Sequence, residues 1–225
     1  MNNELIESLS SRPDDLPTSV TRQEGDTADL RAFFADWDPL LNVVLSQVDE
    51  VQKWKLMHLP PLERWTRGAV ALMGDACHPT LPYQAQGAAM AVEDGATIAE
   101  MLGLLSQSPQ WADDTADQAA IAQTLQRYEQ VRKQRTELNV RGADANRIFL
   151  HLPRGLELEE RDQMLREWDW NDSTASSKWP FLDPTYAREL MGFDAEAEAR
   201  AAFERKFGPG GVDSSSPRHS RDNVP

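Results

Sequence analysis

Val70-Ala71-Leu72-Met73-Gly74-Asp75-Ala76-Cys77-His78-Pro79, continuing through Leu81-Pro82-Tyr83-Gln84-Ala85-Gln86-Gly87-Ala88-Ala89-Met90 to Glu93-Asp94-Gly95, decides how this chain is read. An apolar run ends in Gly-Asp. Two prolines and a glycine follow, and a small-residue helix begins. The order puts one carboxylate at a strand end with a helix N-terminus beside it and tight backbone between. Such an arrangement can hold a polar, partly anionic ligand without a metal or a covalent bond.

Each part of the stretch has two readings. Asp75 stands where open α/β sheets place ligands and can accept hydrogen bonds from sugar or polyol hydroxyls; it can equally cap its own turn. Gly87, Ala88 and Ala89 leave the first-turn N–H groups of the helix open to a ligand with negative charge. Close helix–sheet packing wants the same small residues. Pro82 has a fixed backbone and no N–H, which suits a rigid wall beside a flat ring, or a turn with no ligand.

Composition narrows the class. The chain has 225 residues, a net charge of −14 and 40% hydrophobic residues, enough for a core in one domain or two small ones. The acidic balance, with a pI of about 4.7, argues against a nucleic-acid partner, which calls for a basic face. Cys77 is the single cysteine, so no intrachain disulfide is expected and a reducing compartment fits. No apolar run reaches spanning length, and the first twenty residues lack a secretory core. These features lead to the expectation of a soluble, cytoplasmic protein with no membrane span.

Outward from the central stretch, residues 1–24 read as a polar lead-in. In 25–68, Asp26 or Thr27 caps a helix through Leu30, Phe33 and Phe34, and Pro39 starts a second with Leu40, Leu41, Val44 and Leu45. Val51 to Leu59 reads as a half-buried strand, and Trp65 to Gly68 as a turn. In 69–106, Ala69–Met73 reads as a strand buried on both faces, then the Gly-Asp turn, then a helix over 86–106. In 107–207 a long helix is expected over 117–146, a short one over 156–168 and an alanine- and glutamate-rich one over 195–207. Residues 208–225 read as a disordered tail.

Gly-Asp-Ala-Cys-His-Pro-x-x-Pro-x-x-x-Gln-Gly-Ala-x-x-Ala-x-Glu-Asp resembles the second flavin-binding motif of the FAD-dependent aromatic-ring hydroxylases, nearest to their salicylate hydroxylase-like branch. Trp37-Asp38-Pro39, Trp54, Pro60-Pro61-Leu62-x-x-Trp65-x-x-Gly68, Tyr128-Glu129-x-Val131-Arg132 and Gly192-Phe193-Asp194-Ala195-Glu196-Ala197 are similar to the same branch. The resemblance implies an α/β (α+β) fold: a partial FAD-binding monooxygenase fold, the C-terminal part of the FAD domain with long C-terminal helices. It implies that Gly74 and Asp75 bind FAD, Asp75 through a ribityl hydroxyl. It places the backbone at Gly87 and Ala88 against the pyrimidine edge of the flavin, where a reduced ring carries negative charge, and Pro82 near the reacting edge. NAD(P)H would be co-substrate with dioxygen, and a small aromatic or conjugated molecule would be hydroxylated. No side chain here stands out as a catalytic base.

Cys77 replaces an expected alanine and reads as a buried small residue. His78 reads as a turn histidine holding the Gly-Asp loop in preference to an acid–base group. The two alone are too few for a metal. The family's N-terminal strand, Gly-x-Gly-x-x-Gly turn and helix are not found in this sequence. It therefore reads as a C-terminal half, with exposed apolar surface and a tendency to associate. The alternative to an enzyme is a non-catalytic remnant or split-protein half that binds a complementing N-terminal chain. Arg127, Arg132, Lys133, Arg135 and Arg141 read as a solvated helix face pairing with Glu129 and Glu137, ahead of a cofactor-phosphate site. Trp168, Trp170 and Trp179 read as core.

Overall fold

A computed structural model describes residues 16–207 apart from 58, 110, 112 and 113. The expected disordered tail and most of the lead-in lie outside the described residues.

Two aspartates start the first helices. Asp26 accepts from the Ala28 N–H at 2.7 Å to open α1 (Thr27–Phe33), and Asp38 from the Leu40 N–H at 2.8 Å to open α2 (Pro39–Leu45). Side-chain caps satisfy first-turn donors, and Pro39 sits where its missing N–H costs nothing. Phe34 and Leu45 form a small core between the two helices, with Leu30, Leu41 and Val48 packed on it. The strands β1 (Arg22–Gly25) and β2 (Val51–Trp54) pair antiparallel, with Arg22 opposite Trp54 and Gly25 opposite Val51. The expected strand to Leu59 ends early. One further bond, Lys55 N–H to Thr21 O at 2.9 Å, closes the ladder, and Leu56, Met57 and Leu59 are exposed.

Thr66–Arg67 (β3) and Val70–Ala71 (β4) form a short hairpin around Gly68. The expectation of a strand from Ala69 to Met73 buried on both faces is corrected here. Val70 is 66% exposed, and Leu72 and Met73 are also exposed. Among the described residues β4 pairs with β3 alone, so its outer edge and face meet solvent.

The body of the fold is helical. α3 (Gly87–Ser106), α4 (Asp114–Leu150), α5 (Leu156–Glu167), α6 (Pro184–Met191) and α7 (Ala195–Phe207) follow the hairpin. All but α6, which the sequence reading did not give, match the expected helices closely, α4 running three or four residues further at each end. α3 packs against both α4 and α7. Its buried positions, Met90, Asp94, Thr97, Met101 and Leu105, recur every three or four residues and form one stripe. Met101 meets Trp65, Cys77, Tyr128, Ala199 and Ala202 in the main core. Burying a side chain of that size contributes about 1.5–3 kcal/mol. Ala199 and Ala202 leave α7 smooth enough to lie close to α3. Leu105, Ala120 and Phe203 continue the core toward the far end. Trp179 packs on Phe149 at 5.2 Å, but Trp170 is 66% exposed, which corrects the core reading for that residue: it stands in the loop just past the end of α5. No helix among the described residues is long and apolar enough to cross a membrane.

Candidate functional site

The Gly-Asp turn leaves β4 as a single 3-10 turn, Gly74–Ala76. Gly74 has φ +59°, a conformation a Cβ makes costly, and an added Cβ would also lie 3.2 Å from Ala91 Cβ. Glycine is thus required twice over. The turn closes on itself: the Cys77 and His78 N–H groups both donate to Gly74 O at 3.0 Å. Asp75 is exposed. Its carboxylate takes no hydrogen bond or ion pair from any described residue, so the cap reading has no support in the geometry.

Pro82–Gln84 form a second 3-10 turn with Pro82 exposed at its start. The turn is fixed from behind. Gln84 Nε2 donates to Tyr186 Oη at 2.6 Å, and Asn146 Nδ2 donates to Tyr83 O at 3.2 Å. Ala85 follows at φ +54°, a left-handed conformation that is strained for alanine. α3 then begins without a side-chain cap. Met90 is the first residue to bond back, to Gln86 O at 2.9 Å. The N–H groups of Gly87, Ala88 and Ala89 are therefore free of the helix, with Ala88 and Ala89 exposed. Thr80 Cγ2 lies 3.5 Å from where a Gly87 Cβ would stand, so the connecting loop folds back onto this first turn.

Beneath the loop lies a buried charge network that the sequence did not reveal. Asp94 is fully buried. Its Oδ2 accepts from Gly74 N–H at 2.8 Å and from His78 Nε2 at 2.6 Å, and its Oδ1 from Arg132 Nε at 2.7 Å. Burial alone would raise the Asp94 pKa; the bonds from His78, Gly74 and Arg132 outweigh it and hold the carboxyl below the usual range. Arg132 is also fully buried; its Nη1 lies 2.7 Å from Glu93 Oε2 and its Nη2 donates to Met90 O at 3.1 Å. Arg135 pairs with Glu93 at 2.9 Å and donates to Leu190 O at 2.6 Å at the end of α6. The Phe193 ring lies 5.3 Å from the Arg132 guanidinium and 4.8 Å from that of Arg135.

The expectation of a solvated basic face is corrected for Arg132 and Arg135. It holds for Lys133, paired with Glu129 at 2.7 Å, and for Arg141, paired with Glu137 at 3.3 Å. His78 is buried and holds the loop, as read from the sequence. Cys77 is buried, and burial, then the nearby Asp94 charge, pushes its thiol up to about 12. The ligand atoms of Cys77, His78 and Asp94 lie within 4.8 Å of one another. A cation there would compete with the Arg132 guanidinium and a firmly protonated thiol, so the cluster is a hydrogen-bonded support.

Among the described residues, the site offers an exposed, unpartnered carboxylate, a rigid proline and a helix start of free N–H groups lined by glycine and alanine. That donor set fits a ligand with hydroxyls at one end and an electron-rich planar edge at the other. Residues 24–143, more than half of the chain, match the family model described as FAD binding domain.

The chain belongs to the FAD-binding domain family.

Individual relatives resemble it as well. The FAD-dependent monooxygenase OpS4 of Beauveria bassiana is 37% identical over 194 residues, covering 84% of this chain and 42% of the relative. The 6-hydroxynicotinate 3-monooxygenase of Bordetella bronchiseptica is 41% identical over 104 residues, covering 44% of this chain and 27% of the relative. The chain thus spans less than half the length of these relatives. In architecture it is similar to a salicylate hydroxylase solved as a substrate complex, with a TM-score of 0.58 at 22% identity over 86% of this chain and 40% of that one. The mostly helical α+β architecture with two small sheets is therefore part of a salicylate hydroxylase-like FAD-binding fold.

Proposed function

We propose that this chain is the flavin-contacting C-terminal portion of an FAD-dependent monooxygenase acting on an aromatic or conjugated small molecule, with NAD(P)H and dioxygen as co-substrates. The observation that carries the reading is the exposed Asp75 carboxylate, without a partner among the described residues, beside the uncapped first turn of α3, in a chain of the FAD-binding family. Residues 69–106 are the flavin-contacting unit in this reading.

Asp75 accepts a hydrogen bond from a ribityl hydroxyl, and Gly74 turns the backbone so that it can. The N–H groups at Gly87 and Ala88 face the pyrimidine edge of the ring, where the helix dipole favours negative charge. Pro82 walls the ring with a surface that cannot move or donate. Bound FAD supplies the redox and oxygen-transfer chemistry; the side chains named here bind and orient.

The test is the visible absorption spectrum of the purified chain with added FAD after ultrafiltration. Retained flavin bands that disappear in Asp75→Ala support the reading; a folded chain that retains none at micromolar FAD overturns it for this chain alone.

A second reading, a half that pairs with a complementing N-terminal chain, is favoured by the exposed apolar side chains Val70, Leu72, Met73 and Val92 beside the site. Flavin retention only when a nucleotide-binding half of a relative is added would select it.

A further inference from the structure

We infer that Asp94 is a positioning residue of the FAD site: one buried carboxylate clamps both ends of the Gly74–His78 loop and sets Asp75 in register with the first turn of α3. The inference rests on the reading above.

The loop begins at Gly74 and ends at His78, and both ends hang on the same oxygen. Asp94 Oδ2 takes the Gly74 N–H at 2.8 Å and His78 Nε2 at 2.6 Å. Asp75 and Ala76 lie exposed between them, so the segment that would meet the ligand is the part left unclamped. The clamp is itself part of α3, two turns beyond Gly87 and Ala88. The two halves of the site are therefore referred to one rigid rod. Arg132 locks the clamp from α4, bonding Asp94 Oδ1 at 2.7 Å and Met90 O at 3.1 Å, so the carboxylate has no freedom to swing. Hydrogen bonds to a charged acceptor are the strong kind, and releasing Gly74 would leave a buried N–H without a partner.

A residue that merely stabilises the fold and one that positions Asp75 differ in one measurable respect, coupling to Asp75. The first arm needs no flavin. Amide hydrogen exchange of the segment 70–81 is compared between the wild-type chain and Asp94→Asn. Faster exchange there, with α4 and α7 unchanged, is expected; unchanged exchange overturns the inference. The second arm is a double-mutant cycle on FAD affinity. Asp75→Asn and Asp94→Asn are each expected to raise the dissociation constant about tenfold, and the double variant little more than either. A multiplied loss of about a hundredfold marks independent action and overturns the inference. If Asp94→Asn leaves Arg132 too costly to bury, Asp94→Asn with Arg132→Gln removes both charges and serves in both arms. Failure of the wild-type chain to bind FAD overturns the functional reading for this chain alone, and the exchange arm then still decides whether Asp94 holds the loop.

Discussion

The Tyr186 hydroxyl of α6 fills the space that a side chain at Gly142 of α4 would need. A Cβ built at Gly142 overlaps Tyr186 Oη and Gln84 Nε2, the same two atoms that bond each other at 2.6 Å behind the Pro82 turn. The absence of a side chain on a long helix thus keeps open the pocket that fixes the proline.

Gly142→Ala is therefore expected to destabilise the chain by about 1–3 kcal/mol, although alanine is the better helix former. Urea unfolding of Gly142→Ala and of Gly142→Ala with Tyr186→Phe checks it. The second change removes the nearest clashing atom and should recover part of the loss.

Ala85 offers the opposite case. Its φ of +54° costs alanine about 1–2 kcal/mol, while glycine adds unfolded-state entropy of about 0.5–1 kcal/mol. Ala85→Gly should stabilise slightly, by under about 1 kcal/mol. A lower melting temperature for this variant would contradict the assignment of strain.

Cys77 should be silent in the folded chain. With its thiol pushed up to about 12 by burial and by the Asp94 charge, almost no thiolate exists at pH 8. Iodoacetamide is expected to label Cys77 only after denaturant is added; rapid labelling under native conditions would show that the network beneath the loop opens readily.

Acid should unfold the chain through two carboxylates, the buried Asp94 and the half-buried Glu129. Asp94 and Glu129 are pushed up by burial, but hydrogen bonds to His78, Gly74 and Arg132 in the one case, and to Lys133 and Thr66 in the other, bring them below their ordinary values. A depressed folded-state pKa gives stability that is present above the unfolded value, near pH 4, and lost as pH falls through the folded one. The unfolding free energy should therefore drop below about pH 5. The drop should be shallower in Asp94→Asn, measured by urea titration at each pH.

The sequence carried the local features well. The Asp26 cap, the start of α2 at Pro39, the start of α3 near Gln86 and the span of α7 follow from capping residues, proline placement and apolar spacing, which act over one or two turns. The Gly-Asp turn and the small first turn of α3 were equally plain. Two things were not. The apolar residues of the strand ending at Met73 predict burial on both faces, but burial needs neighbours that a local pattern cannot supply. Arg132 and Arg135 stand on a helix face that local spacing predicts to be solvated, as helix arginines usually are. Their partners lie 38 and 42 residues away, and no spacing rule reaches that far. The one available hint was an acidic residue, Asp94, inside the stripe of α3 that otherwise faces the core.

The Phe193 ring lies against the two guanidiniums of that network, and Arg135 reaches the carbonyl of Leu190. The matched family segment stops at residue 143. A chain cut there would strip Arg135 of its two carbonyl acceptors, Glu189 O and Leu190 O, and α3 of the helix that lies along it. The packing that supports the Gly-Asp turn therefore reaches some sixty residues past the family boundary. The closing segment behaves as a keystone, remote from the Gly-Asp turn in sequence and two side chains away from it in space.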